Sequence, residues 1–459
     1  MPLPDRMRIL KLMLETAIDP SPRRAAAGRP AVTLLALSVM IVMVAGCAKT
    51  PVYTLMETPA IYHEAAVDPF SHLDPVLRGT VVTVFYATNR QPRNSNAGGL
   101  LYGNKKDKVL NLGIATLRFG DEGFSWEALY AASIAPERDY PVPISLLDCD
   151  QLARLPEDFR SEAPQVLTAE QQDFAAAINM QLAVAQDKEI MVYVHGTKVD
   201  FLNSLVITAE VDHFSGRDFV GIAFAWPSHQ NILYYLLGQD VTRAKDSSQA
   251  LRALLEFLAA HTTAKQINLL SYSAGARVAS KALYEMRSAY PALSRDELQQ
   301  RFRLGSVIFA AADVPIETFH QRLPAISDLS QQVVLTVSDH DPALLAAEKY
   351  MGGGTRIGVE SAGLWELQLI ASQGVTNFEV VDLSLKQEGR GFDIIGHHYW
   401  YRHPWASSDI ILLLRTNAPP HRRGLSPAEL EGVFYMSPEY PQEVREAVRR
   451  ELGNSWLGD

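Results

Sequence analysis

The stretch Ile267-Asn268-Leu269-Leu270-Ser271-Tyr272-Ser273-Ala274-Gly275 decides how the chain is read. A short apolar strand, 267–270, runs into a tight turn, and a helix over 274–288 follows directly. Strand, turn and helix in this order are the context of a nucleophile elbow, in which a strained turn presents a serine hydroxyl. Ser273 is the serine at that turn. Its flanks have to be small, and Ala274, Gly275, Ala279 and Ala282 also let the helix lie close against the sheet. Ser271 stands where the pattern G-x-S-x-G has its first glycine. Serine adds strain there but is small enough to be accommodated.

Outward from the turn, strand and helix alternate. Residues 80–87 (TVVTVFYA) are β-branched and aromatic, which predicts a strand. Residues 94–106 read as a Gly/Asn loop, 109–119 as a second strand and 134–166 as proline-rich and irregular. Thr168-Ala169-Glu170-Gln171 is a capping box that opens a helix to 186. Strands at 190–194, 219–226, 267–270, 306–311, 333–337 and 378–383 then alternate with helices at 201–214, 240–261, 274–288, 316–323 and 405–414. Short apolar strands separated by helices mean an α/β fold, a mostly parallel central sheet covered by helices on both faces. Met351-Gly352-Gly353-Gly354 is a solvent loop or a flap. Past a polar linker at 417–423, Ser426-Pro427-Ala428-Glu429 predicts a helix start, and 443–452 a final charged helix.

Two further clusters supply what a nucleophilic serine needs. The strand at 191–194 ends in His195-Gly196-Thr197-Lys198, where hydrolases of this type place an oxyanion-hole loop. A glycine there lets the backbone turn N–H groups toward a developing oxyanion, each such donor being worth roughly 3–4 kcal/mol. The backbone N–H groups of Thr197 and Ala274 are the expected donors, with His195 supporting the loop. Triad order on such a sheet is Ser, then an acid, then His. Asp341, in Ser338-Asp339-His340-Asp341-Pro342, is the expected acid; Asp339 and Asp313 are rivals that read more simply as helix caps. His397, in Gly396-His397-His398-Tyr399, is the expected base, taking the serine proton and passing it to the leaving group. His398 and His403 read as surface or packing residues. A metal reading of the three histidines is disfavoured, since neighbours on a strand point apart and H-E-x-x-H is absent. Trp226, Tyr234 and Tyr235 follow a strand and suit an acyl pocket and plain core equally.

Taken in order, Val84-Phe85-Tyr86-Ala87-Thr88-Asn89-Arg90, His195-Gly196, Ala225-Trp226-Pro227-Ser228, the Ser273 turn, Asp341-Pro342-Ala343-Leu344 and Gly396-His397-His398-Tyr399 resemble a bacterial alpha/beta-hydrolase family of uncharacterised function in the esterase/lipase superfamily. The resemblance spans about 80–415. It implies the alpha/beta-hydrolase fold, a Ser273–Asp341–His397 triad and no cofactor. Lys198 departs from the neutral polar residue usual in that family, and Ser271 from a small apolar residue or glycine. The implied activity is a serine hydrolase of carboxylic esters, with thioesters and amides as further bonds. An inactive scaffold or binding module and an acyltransferase are the alternatives.

Composition bounds the rest. The chain has 459 residues, 47% hydrophobic and 20% charged, which excludes collagen, coiled coil and wholesale disorder. A net charge of −10 disfavours nucleic acid as a partner. Two cysteines, Cys47 and Cys149, exclude a disulfide scaffold. Residues 1–30 carry six basic side chains, and the apolar run at 31–46 is short for a membrane span but suits the core of a secretory signal. The run ends in Val44-Ala45-Gly46-Cys47, which resembles the lipobox of bacterial lipoprotein signal peptides and implies acylation of Cys47, for instance by palmitate. The basic region is long, and Met7 and Met13 are alternative starts. Cleavage leaves 36 basic and 49 acidic residues, a net charge of −13, with Cys149 as a buried thiol. The expected organisation is a signal peptide at 1–46, a tether at 47–79, a hydrolase domain at 80–416 and a helical extension at 417–459. Ala48, not Asp, follows the cysteine, so a Gram-negative host would sort the protein to the periplasmic face of the outer membrane. The expected partners are a membrane, through the lipid anchor, and a small ester or lipid substrate.

Overall fold

The computed structural model describes residues 52–64, 67–94, 100–161, 166–338, 341–351, 354–359, 375–384 and 397–453. The expected signal peptide, Cys47, Asp339, Gly352, Gly353 and Gly396 lie outside them. Chain contacts divide the protein after Val52, and the sheet and its helices belong to the unit that starts at Tyr53.

Twelve strands among the described residues form one sheet: β1 (Tyr53–Thr54), β2 (Val81–Asn94), β3 (Leu100–Phe119), β4 (Pro143–Pro156), β5 (Glu189–Val194), β6 (Val220–Phe224), β7 (Gln266–Tyr272), β8 (Leu304–Ala310), β9 (Ser330–Val337), β10 (Phe378–Asp382), β11 (Ser426–Pro427) and β12 (Val433–Tyr435). Their order is β1-β4-β3-β2-β6-β5-β7-β8-β9-β10-β12-β11. The eight strands from β2 to β12 in that order pair in parallel, and β1, β4, β3 and β11 are antiparallel. The α/β expectation holds: β5, β6 and β8 are buried at every position, as a sheet covered on both faces requires.

The helices that matter to the site are α1 (Ala169–Val184), α2 (Phe201–Phe214), α3 (Ile232–Leu236), α4 (Gln239–His261), α5 (Gly275–Ala289), α6 (Ile316–Leu329), α7 (Pro342–Met351), α8 (Pro404–Thr416) and α9 (Tyr440–Glu451). One apolar core joins α1, α4, α5 and α6 to one face of the sheet, and a second joins α2, α8 and α9 to the other. The Thr168 capping box that opens α1 is present.

Five expectations are corrected. Residues 100–106 belong to β3 and pair with β2, Arg90 opposite Lys106 and Pro92 opposite Tyr102, so the loop is shorter than the glycines suggest. Residues 143–156 form β4. Register shifts opposite Leu112/Gly113 and Thr116/Leu117 flip its inward face, so no clean two-residue period survives in the sequence. Residues 53–73 are not a free tether. Leu55, Met56, Ile61, Tyr62, Val67, Phe70 and Leu73 are buried, and the Met56 N–H donates to Glu210 on α2 at 2.6 Å. Finally, Ser426 opens a strand rather than a helix. β12 adds to the sheet beside β10, Val380 opposite Val433, and β11 folds back on it; pairing with a free sheet edge outweighs the local capping pattern. Helix α6 also runs through Pro324 to Leu329 instead of stopping at 323.

The C-terminal segment is fixed by an ion pair inside the protein. Arg423 and Asp409 are both buried, joined at 2.7 Å from Nε to Oδ1, and Arg423 Nη1 donates to the Ala418 carbonyl at 2.6 Å. Arg423→Ala leaves the Asp409 charge buried without its partner, so the folded state should lose about 3–5 kcal/mol. Urea unfolding measures this, and a loss below about 1 kcal/mol would show the contact to be incidental.

Candidate active site

Ser273 follows directly from the last residue of β7, with φ of +52°. Left-handed backbone is unfavourable for a residue with a Cβ, and it persists here because neighbours hold both ends of the peptide unit. The Ser273 N–H donates to the Ala310 carbonyl at 3.0 Å, and its own carbonyl accepts from the Ala276 and Asp313 N–H groups at 3.0 and 3.1 Å. Ser271 fits the turn because its hydroxyl donates to the Ile308 carbonyl of β8 at 3.0 Å. Gly275 lets α5 butt against β5: a Cβ there would sit 2.4 Å from the Val194 carbonyl oxygen and 2.5 Å from that of His195.

The Ser273 hydroxyl is 2.7 Å from His397 Nε2. His397 Nδ1 in turn lies 2.8 Å from Asp341 Oδ2 and 3.0 Å from Oδ1. Asp341 is fully buried just before α7, and its Oδ1 also accepts the Ala343 and Leu344 N–H groups. It therefore caps a helix and meets the imidazole at once. The three residues expected to act together do meet.

Residues 170–415, just over half of the chain, match the family described as alpha/beta hydrolase of unknown function (DUF900). The chain belongs to that family. Solved structures similar to this chain include an uncharacterised protein from Bacillus cereus, at 16% identity and a TM-score of 0.27 over 43% of this chain and 54% of that one. Others are an inhibited esterase B from Lactobacillus rhamnosis, at 12% identity and a TM-score of 0.26 over 44% and 68% of the two chains, and an esterase from Pyrobaculum calidifontis, at 12% and 0.28 over 50% and 76%. The chain thus spans about half the length of the Bacillus cereus protein. No curated protein sequence matches it.

The loop after β5 adjoins the serine. A Cβ on Gly196 would lie 2.9 Å from that of Ser273, so the loop backbone passes immediately beside the turn, bringing the neighbourhood of the Thr197 amide to that of Ala274. Three buried contacts hold the loop. His195 stacks on Trp226 at 5.3 Å, with the rings 10° apart, and the Trp226 Nε1–H donates to the His195 carbonyl at 2.6 Å. Arg90, fully buried, places Nη2 at 3.2 Å from His195 Nε2 and donates to the Val199 carbonyl at 2.8 Å. Burial, reinforced by Arg90, pushes His195 well below the usual histidine range, so it is a neutral support. The Thr197 hydroxyl donates to buried Asp240 at 2.6 Å, and Asp240 also accepts from the His229 ring and N–H. Trp226 is therefore core, and Tyr235 is buried. Tyr234, which is exposed, stacks on His229 at 4.2 Å. Lys198 is exposed with φ of +60°.

The rival residues have other partners. Asp313 is buried between Arg277 and Arg356, with Nε-to-carboxylate distances of 2.7 Å to each, and burial pushes its carboxyl up to about 6 against the pull of Arg356. His398 Nδ1 meets the Tyr272 hydroxyl at 2.6 Å, and burial, with His397, Arg402 and Lys198 adding, pushes it down to about 3. His403 accepts the Trp405 N–H and caps α8. The three histidines thus have three different settings. Sequence reasoning overlooked Tyr272, whose hydroxyl also lies 3.1 Å from the His397 carbonyl, and Asp240. Tyr272 stands inside the Ser-Tyr-Ser turn, which is its one visible signal.

Gly275→Ala should destabilise the fold by about 1–3 kcal/mol, because the clash is with backbone carbonyls that have no room to yield. Gly79→Ala, whose new Cβ meets nothing within 4 Å, is the neutral control. Equal denaturation midpoints for the two variants would show that the helix does not need this close approach.

Proposed function

We propose that the chain is a membrane-anchored serine hydrolase acting on carboxylic esters through an acyl-enzyme on Ser273. The observation that carries this is the relay of short contacts from the Ser273 hydroxyl through the two nitrogens of His397 to buried Asp341. A serine hydroxyl is a weak nucleophile until a neighbouring base takes its proton. In the first step Oγ bonds to the ester carbonyl carbon as its proton passes to His397 Nε2. Asp341 holds the Nδ1 proton in place and stabilises the imidazolium that forms. The carbonyl electron pair moves onto oxygen, where the Thr197 and Ala274 N–H groups would receive it. Collapse expels the alcohol, which takes the proton from Nε2. Water then repeats the sequence on the acyl-enzyme, releasing the acid and restoring Ser273.

The anchor in this proposal is acyl chains on Cys47, at the periplasmic face of an outer membrane in a Gram-negative host. Each buried methylene contributes about 0.8 kcal/mol, so several chains hold a protein on a bilayer where one is marginal.

A fluorophosphonate probe tests the nucleophile. The folded wild type should be labelled, Ser273→Ala should not, and its esterase kcat should fall by a factor on the order of 10⁴–10⁶. A folded, unlabelled wild type would instead point to the inactive scaffold, and acyl transfer to an added alcohol exceeding hydrolysis to the acyltransferase. Asp341→Asn should cost about 10⁴ in kcat, because the imidazole is then offered the wrong hydrogen-bond partner. Only neutral imidazole accepts the serine proton, so the rate should decline on acidification. A rate indifferent to acid would remove His397 from the role of base.

A further inference from the structure

Helix α3 and the residue after it carry four large apolar side chains that water can reach: Ile232, Leu233, Tyr234 and Leu237, the last 73% exposed. Among the described residues no other six-residue stretch presents so many. The neighbouring α7 touches α3 and adds Leu345, 43% exposed. An apolar cluster of this kind on a chain that is otherwise well covered marks a contact surface.

Its position relates it to the serine. Tyr234 stacks on His229, His229 binds Asp240, and Asp240 holds Thr197 beside the turn. On the other side α7 starts at Pro342, directly after Asp341. The exposed apolar residues therefore sit on two helices, one tied to Thr197 through His229 and Asp240 and the other starting next to Asp341.

We propose that this rim is a lipid-docking surface: Ile232, Leu233, Leu237 and Leu345 enter the headgroup–acyl boundary of the membrane, and Ser273 receives an acyl ester resident in that membrane. This rests on the serine-hydrolase reading and names its substrate class. The occupant follows from where the chain enters the domain. The Tyr53 hydroxyl donates to Asp200 at 2.9 Å, and Asp200 caps α2 three residues beyond Thr197. Cys47 stands six residues before Tyr53, a span that even fully extended chain limits to about 22 Å. A lipid on Cys47 thus keeps the membrane within that chain length of Tyr53. Cleaved at Cys47 the chain carries a net charge of −13, so attachment is apolar rather than electrostatic and persists at high salt.

The test compares the full-length chain with a Leu233→Glu/Leu237→Glu variant on two substrates, p-nitrophenyl acetate in solution and p-nitrophenyl palmitate in phosphatidylcholine vesicles. The variant should keep the soluble rate, which also shows that it folds, and lose about tenfold or more on the vesicle substrate. Equal loss on both substrates, or on neither, overturns the proposal. Flotation of residues 47–459 carrying Cys47→Ala, which have neither leader nor lipid, with the same vesicles reads the surface without catalysis: flotation at high salt that the double substitution abolishes supports docking, and its absence refutes it. Should wild type cleave neither ester, the hydrolase reading fails while flotation still decides the surface. A dimer converted to monomer by the double substitution would make the rim an interface between copies and refute lipid docking.

Discussion

The site depends on one unfavourable backbone conformation being held from both sides. Left-handed φ at Ser273 costs on the order of 1–3 kcal/mol, and the local bond from the Ala276 N–H to the serine carbonyl is joined by others from outside the turn. These come from β8 and the residues beyond it: the Ala310 carbonyl takes the serine N–H, and the Asp313 N–H reaches the serine carbonyl. The Asp313 side chain closes the loop by binding Arg277, one turn into the helix that the strained serine begins. Arg356 adds a second buried cation from a segment whose backbone pairs with residues 312 and 314. A strained turn, a helix and the end of the next strand are thus one polar unit, and Ser273 cannot relax without breaking several of its bonds.

The loop after β5 is built on the same logic with different chemistry. It is pressed against the turn by a missing Cβ at Gly196, and its direction is set by groups that have left water altogether. Arg90 and Trp226 bind His195 and two loop carbonyls, while Asp240 takes the Thr197 hydroxyl. Hydrogen bonds between buried groups are strengthened by the low local dielectric, so moving the loop away from them is costly. Neutral His195 is what permits Arg90 to sit beside it; a charged imidazole there would repel the guanidinium with little solvent to screen it.

How far the sequence reveals this varies with the range of the interaction. The central strands were legible because burial on both faces leaves continuous apolar runs, as in Ile190-Met191-Val192-Tyr193-Val194. The serine turn was legible because small side chains must cluster where a helix begins inside the sheet. β4 was not, since two register shifts scramble its alternation, and neither was β12, whose three residues become a strand only because the edge of β10 is open. Tyr53 to Leu73 read as a tether because its apolar residues follow no period; their order is dictated by the surfaces of α2, α8 and α9 that they cover.

The acids show most clearly where such reasoning stops. Asp313 and Asp341 both follow a strand of the same sheet, both precede a helix, and both are buried within reach of the serine turn. They differ only in what arrives opposite them. Arg356, 43 residues downstream, joins Arg277 on Asp313, while His397, 56 residues downstream, faces Asp341. A carboxylate already claimed by two guanidinium groups has its lone pairs committed and is fixed as an anchor. One held by two helix amides keeps an oxygen edge open for an imidazole. The distinction between scaffold and proposed chemistry therefore belongs to the cations and not to the acids.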